Sequence, residues 1–382
     1  MGTIIIVLFC VGYLFIALEH SVGINKTATA LVTGVLCWTV YILFNDPHIV
    51  THQLLEQLGE ISSILFFLMG AMTIVELIDS HDGFEIINRA ITTKNEKTLL
   101  WIVSLITFFL SAIGDVTTTM LWIGGQISSS SIIIHLFLPS LFSLLVPLII
   151  VTLLMTKGSQ AQAKDNTGVV KGPLSFEQKL IFFSGLAVLL LVPVFKTITH
   201  LPPFMGMLLG LGLLWILTEL IHRNKVEEER QKFSVIQALE HMDVPSVLFF
   251  LGILLAVGVL QNTSQLTRLA GTLNNTFESE KIIVTIIGIV SAIVDNVPIV
   301  AAAIAMYSLD VYPLDHSFWH LLAFCAGTGG SLLIIGSAAG IAAMGLEKIS
   351  FGWYLKNISW LAVIGYLAGI AVFIIQESFI LR

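Results

Sequence analysis

The chain has 382 residues, of which 56% are hydrophobic and only 11% charged, with a mean hydropathy of +0.94; an ordinary soluble domain carries about 25% charged residues. Its 18 Lys and Arg against 25 Asp and Glu give a formal net charge of −7. These figures exclude a water-soluble globule, and the lack of any basic stripe or basic-aromatic interleaving argues against a nucleic-acid partner.

The partner the composition calls for is a lipid bilayer, in which each crossing helix needs about 20 apolar residues. The first residues carry no positive n-region and no small-residue cleavage site, so the first apolar run is expected to be a retained helix. Apolar runs occupy 2–18, 27–44, 61–78, 98–113, 132–155, 180–195, 204–221, 247–260, 282–309, 318–344 and 358–375. All are helical candidates, and the predicted class is an all-α polytopic membrane protein. The most polar stretch, 157–178, begins KGSQAQAKDNTGVVKGP and has linker composition. It suggests an N-terminal membrane repeat over 1–155, a cytoplasmic linker over 156–179 and a C-terminal repeat over 180–382. Cys10, Cys37 and Cys325 all lie inside apolar runs and read as small buried side chains rather than as a disulfide set.

Positive residues sort the loops. Arg89, Lys94 and Lys97, then Lys157, Lys164, Lys171 and Lys179, then Arg223, Lys225, Arg230 and Lys232, then Lys348 and Lys356 mark cytoplasmic loops, whereas 45–60, 197–203 and 310–317 contain no Lys or Arg and are assigned outside. With that assignment the run 282–309 must start and end on the outer side. Asp295, Asn296 and Pro298 give it a place to turn, so it is predicted to be a re-entrant hairpin.

The two halves repeat. Ser63-Ile-Leu-Phe-Phe-Leu68 matches Ser246-Val-Leu-Phe-Phe-Leu251, one approached from outside and the other from inside, and Ser111-Ala-Ile-Gly-Asp115 matches Ser291-Ala-Ile-Val-Asp295 at nearly the same offset. Ile113-Gly114 with Ile127-Ser128 likewise matches Ile335-Gly336 with Ile349-Ser350. Inverted repeats with broken helices are how many secondary transporters build a midplane site. In the second half the two motifs are well separated, while in the first they overlap. The first half is therefore short by about 42 residues near 112–113, which would hold a hairpin tip, its return helix and half of a broken helix. A hairpin does not change which side the following loop lies on, so 98–127 is expected to be one fused crossing.

Ionisable groups within apolar runs are functional candidates, because a charge at the bilayer centre costs at least about 2.5–3.5 kcal/mol. Asp115 stands beside Thr117, Thr118 and Thr119, a hard-oxygen set suited to a small desolvated cation; a helix N-cap is the simpler reading. Asp295 and Asn296 sit at the inferred hairpin tip, where a plain polar turn is the alternative. Thr328, Ser331 and Ser337 lie in CAGTGGSLLIIGSAAG, whose glycines either open the helix or let helices pack closely. Glu19, His20, Asn25 and Lys26 read as an interfacial solvated cluster, as do Glu76, Asp79, His81 and Asp82, and Glu240, His241 and Asp243. His48/His52 and His316/His320 have i,i+4 spacing but no accompanying metalloprotease motif. No order of Ser, His and Asp or of Cys and His suggests a nucleophile, and no cofactor or enzymatic role is expected.

In IGDVTTTMLWIGGQI, EHMDVPSVLFFLGILLAVGVL, VDNVP and GFEIINRAITTKNEKTLLW the chain resembles the NhaD-type sodium/proton antiporters of the ion transporter superfamily, over nearly its whole length. The resemblance implies two inverted repeats, exchange of external protons for internal Na+ or Li+, a multi-pass protein of the inner (plasma) membrane, and a homodimer. It also implies an ion pathway of Asp115, Thr117, Thr118, Ser291, Asp295, Asn296, Ser331 and Ser337, with Asp115 and Asp295 toward Na+; the reading of the residues adds Thr328. The family's first Asp-Asn tip, expected after Ser111-Ala112, is absent here. The competing classes are an anion or dicarboxylate carrier, against which both aspartates count, and a transport-inactive remnant.

Overall fold

The computed structural model describes residues 1–382 apart from 92, 94, 123–125, 156–173, 278, 294–295, 338–339, 341–348 and 380–382, and apart from the side chains of 20–21, 90, 112–122, 129, 228–229 and 335. Among the described residues all regular structure is helical. In chain order the helices are α1 (Gly2–Ala17), α2 (Glu19–Val22), α3 (Lys26–Leu43), α4 (Pro47–Ser80), α5 (Glu85–Ala90), α6 (Glu96–Trp122), α7 (Ser129–Leu154), α8 (Phe176–Thr199) and α9 (Pro203–His222). They continue with α10 (Glu227–Lys232), α11 (Val235–His241), α12 (Val244–Asn262), α13 (Gln265–Thr276), α14 (Glu280–Val290), α15 (Asn296–Met306), α16 (Ser317–Gly329), α17 (Phe351–Asn357) and α18 (Ser359–Phe379). Seven of them, α3, α4, α7, α8, α9, α12 and α18, are long and apolar enough to cross a membrane.

Among the described residues every apolar run meets a helix; two boundaries differ from expectation, and α6 is continuous as expected. The stretch 45–60, expected as an outer loop, is helical from Pro47 onward: the Asp46 carboxylate accepts the His48 N–H at 2.8 Å, and proline fits a first helical position. The linker expected over 156–179 ends earlier, because Ser175 and Gln178 form a reciprocal capping box that starts α8 at Phe176. Helix α6 runs through Ala112 and Ile113 without a break. Its 27 residues span about 40 Å, more than one bilayer core.

The chain divides into two compact units, Met1–Leu65 with Trp122–Pro147 and Val244–Arg382, and Phe66–Leu121 with Leu148–Asp243. In the first, α3 and α12 meet backbone to backbone: a Cβ on Gly34 would stand 2.5 Å from the Gly252 carbonyl oxygen. Two polar ties hold that crossing, Thr27 Oγ1 donating to the Pro245 carbonyl (2.9 Å) and Trp38 Nε1 to the Leu255 carbonyl (3.0 Å). In the second unit, Ile74, Leu77 and Ile78 of α4 pack with Ile181, Phe182 and Val188 of α8 and with Met207 and Leu214 of α9. There Lys97 and Trp101 of α6 both donate to Thr152, at 2.8 and 2.9 Å.

Candidate ion site

The predicted hairpin is two short helices, α14 and α15, of 11 residues each. Each is about 16 Å long, roughly half the thickness of a bilayer core. Its two ends lie together. Tyr307, just past α15, donates its hydroxyl to Asn274 Oδ1 (3.3 Å) ahead of α14 and packs on Phe318 at 4.8 Å, while Tyr312 stacks on Phe318 at 4.2 Å. The Tyr312 phenol, pushed up to about 12 by burial and by Glu280, meets the first residue of α14. The break between the helices, which includes Ser291 and Ala292, is thus the far end of a hairpin.

Helix α16 runs parallel to α14. Glu280 and Lys281 share a small cavity wall with Ser317 and Phe318 at one end; at the other end Ser291, fully buried, donates its hydroxyl to the Ala326 carbonyl at 2.9 Å. The helices touch through glycine: a Cβ on Gly329 would collide with the Gly288 carbonyl oxygen. Tyr366 of α18 braces the crossing, its hydroxyl donating to the Thr285 carbonyl at 2.8 Å.

Past Gly329 the chain leaves the α-helix, passes a short 3-10 turn at Ile334–Gly336, and brings Gly336 against both the hairpin tip and the end of α16. A Cβ there would stand 2.5 Å from the carbonyl oxygens of Ala292 and Gly330 alike. The result is a cluster of helix ends and backbone carbonyls, with hydroxyls close by. Thr328 donates to the Phe324 carbonyl at 2.6 Å, which leaves its oxygen lone pairs free to accept or coordinate. Ser337 accepts the Gly340 N–H at 3.1 Å. Ser331 is exposed, and its carbonyl accepts from Tyr354 at 2.9 Å. Asn296, half-buried, is the first residue of α15, and Pro298 in that first turn has no N–H to leave unpaired. Irregular backbone of this kind is tolerated at membrane depth only where protein or water surrounds it.

The CitMHS family, described as "Citrate transporter", matches residues 13–125 and 123–317. The chain belongs to this family. It is 44% identical over 413 residues to "Sodium/proton antiporter 1" of Arabidopsis thaliana, covering 96% of this chain and 71% of the relative. It is 40% identical over 417 residues to "Sodium/proton antiporter 2" of the same plant, covering 97% of this chain and 99% of the relative. With "Na(+)/H(+) antiporter NhaD" of Alkalimonas amylolytica the identity is 25% over 446 residues, covering 97% and 90%.

In this CitMHS chain the residues expected to carry ions separate into two groups. Ser291, Thr328 and Ser337 gather at the hairpin tip and the break after α16, with Ser331 next to Gly330 and Asn296 opening the return helix. Asp295 and the side chains of Asp115, Thr117 and Thr118 lie outside the described residues. Ser291 is a brace as much as a ligand candidate, since its proton is committed to Ala326. Of the glycines singled out, Gly329 serves close packing, whereas a Cβ on Gly327 would meet nothing within 4 Å. Tyr366 went unnoticed in the sequence because a lone tyrosine in an apolar run carries no signal of its hydrogen bond.

Those two glycines give a paired prediction. Gly329→Ala lowers the stability of the purified protein by about 1–3 kcal/mol, the usual cost of overpacking. Gly327→Ala stays within about 0.5 kcal/mol of wild type. Thermal unfolding in detergent measures both, and an unchanged midpoint for Gly329→Ala contradicts the close crossing.

Proposed function

We propose that this chain is a secondary transporter exchanging Na+ or Li+ for H+, with no enzymatic step and no cofactor. The observation that carries the reading is the hairpin of α14 and α15, closed at its ends and broken beside the carbonyl- and hydroxyl-rich end of α16. Its relatives bear sodium/proton antiporter names, and Asp295 supplies the acid over which Na+ and H+ compete. Burial raises a carboxylate pKa toward the working pH, so that one site binds either ion and exchange follows. We assign Asp115, Thr117, Thr118, Ser291, Asp295, Asn296, Thr328, Ser331 and Ser337 to the ion pathway.

Against a hydrolase stands the geometry around Ser131. Its Oγ lies 2.8 Å from His320 Nε2, but the Asp315 carboxylate lies 4.0 Å from that same nitrogen. His320 Nδ1 has no hydrogen-bond partner among the described residues. A catalytic triad needs its acid on the other ring nitrogen. Asp315 instead ties the outer loop to the start of α7: burial raises its carboxyl pKa, but the Ser128 N–H (2.7 Å) and the nearby hydroxyls outweigh that and hold it below the usual range.

The bilayer we assign is the inner (plasma) membrane, with the Lys- and Arg-rich loops in the cytoplasm; the homodimer follows from superfamily resemblance. The halves over 1–155 and 180–382 are proposed inverted repeats, the first shortened near 112–113. Supporting the shortening, the alignment that takes in 99% of one plant relative needs 417 positions, against 382 residues here. The family match also falls into two pieces that meet at 123–125. Proteoliposomes carrying a pH gradient test the function. A Na+ pulse is expected to dissipate the gradient slowly while K+ and citrate do not, and a response to citrate alone would overturn the reading.

A further inference from the structure

Two histidines are buried together where α4 and α9 end. His81 is 4% exposed and His222 1%, and their rings stack at 5.2 Å with 13° between planes. Phe233, between α10 and α11, closes over both at 4.9 and 5.4 Å. His81 Nδ1 lies 2.7 Å from the Leu77 carbonyl. A carbonyl only accepts, so Nδ1 carries the proton and Nε2 is a bare lone pair. His81 Nε2 has no hydrogen-bond partner among the described residues, and His222 Nε2 has only the Glu177 carboxylate within reach, at 3.6 Å.

Charged groups face the pair from α8 to α11: Glu219 of α9, Glu227 and Arg230 of α10 and Glu240 of α11 line the cavity that His222 and Phe233 border, and Glu177 and Lys225 stand nearest the rings. Glu177, at the start of α8, lies 3.6 Å from His222 Nε2 but is already ion-paired with Lys225, whose ammonium also sits 5.1 Å from the Phe233 ring centroid. Asp79 and Asp82, beside His81 in the chain, are exposed. A proton arriving on His81 Nε2 would therefore create a buried donor with no acceptor, and one arriving on His222 Nε2 would compete with Lys225 for Glu177. Buried polar atoms left unpaired cost about 1–3 kcal/mol each, so two apolar rings would pack here at less cost than two imidazoles.

We propose that His81 and His222 form a proton-binding lock: neutral, they hold the ends of α4 and α9 against α8 and Phe233, and proton uptake by the pair releases that packing. The sign follows from burial, which pushes the His81 imidazole down to about 4, with His222 and Lys225 adding to the effect against the Leu77 bond and Glu177. The packed state binds fewer protons than the released one. Its advantage is whole above an ordinary histidine pKa of about 6.5 and is lost as pH falls toward 4, up to about 300-fold for His81 alone. The Lys and Arg pattern assigns this cluster to the cytoplasmic face, but the lock does not depend on that or on transport.

Hydrogen exchange on the full chain in lipid nanodiscs tests it. Between about pH 7.5 and about pH 5, after correction for the intrinsic rate, protection over 79–88 and 222–240 is expected to fall about tenfold or more, while α12 changes little. His81→Phe with His222→Phe keeps the stack and is expected to remove the pH dependence. Equal loss of protection in wild type and variant, or none in wild type, overturns the lock. Should the double variant misfold, ring-proton NMR titration of the wild-type histidines decides: both titrating near 6.5 refutes the proposal, and both titrating well below it supports the proposal.

Discussion

Inserting about 42 residues after Ala112, copied from the aligned plant relative, raises Na+-driven proton flux by about a hundredfold or more, a gain of at least about 2.7 kcal/mol. A cation stripped of water needs about six oxygens, and in a site built from two pseudo-symmetric hairpins each contributes part of that shell. Among the described residues the chain has the α14–α15 hairpin, and α6 runs unbroken through 112–113, where the proposed first hairpin would be inserted. Restoring the insert also returns Asp115 to the start of a half-helix rather than to the body of a long one. Flux in proteoliposomes, with the amount of inserted protein measured in parallel, is the readout. Equal and strong exchange by the short and restored chains would show that one hairpin suffices.

In the restored chain, Asp295→Asn abolishes exchange while leaving the protein inserted. The amide has nearly the same shape as the carboxylate but can neither release a proton nor neutralise Na+. The expected loss is about a hundredfold or more at every pH. Weaker Na+ dependence with an unchanged maximal rate would place Asp295 beside the pathway rather than in it. Asn296 is the internal control, because Asn296→Ala removes an oxygen but no charge and raises the Na+ requirement without ending exchange.

Much of this architecture is legible in the sequence, and the departures have physical causes. The apolar runs locate the membrane helices, since in lipid only continuous hydrogen-bonded helix is tolerated. The hairpin of α14 and α15 was readable because loop charge forced 282–309 to return and Pro298 marked where. The polar helix over 47–60 was not, because absence of Lys and Arg gives a side but not a conformation, and its His48, His52, Glu56 and Glu60 look like loop. Amphipathic α13 is not seen as an apolar run because its 12 residues carry Leu266, Leu269, Ala270 and Leu273 on one face among polar neighbours, a helical spacing without continuous hydrophobicity. At the candidate site, the contact of Gly329 with Gly288 and the Tyr366 brace come from tertiary packing that no local pattern encodes.

The parallel course of α14 and α16 has an electrostatic consequence. Each helix directs its carbonyl end at the hairpin tip, and each such end is worth about half a negative charge, while the start of α15 returns about half a positive one. Among the described residues these three helix ends leave the tip net negative before any side chain ionises. A cation is drawn to it even when Asp295 is protonated, and an anion of citrate's charge is repelled even when Asp295 is neutral. The direction of these helices biases this end of the chain toward cations, and neutralising a carboxylate there does not remove that bias.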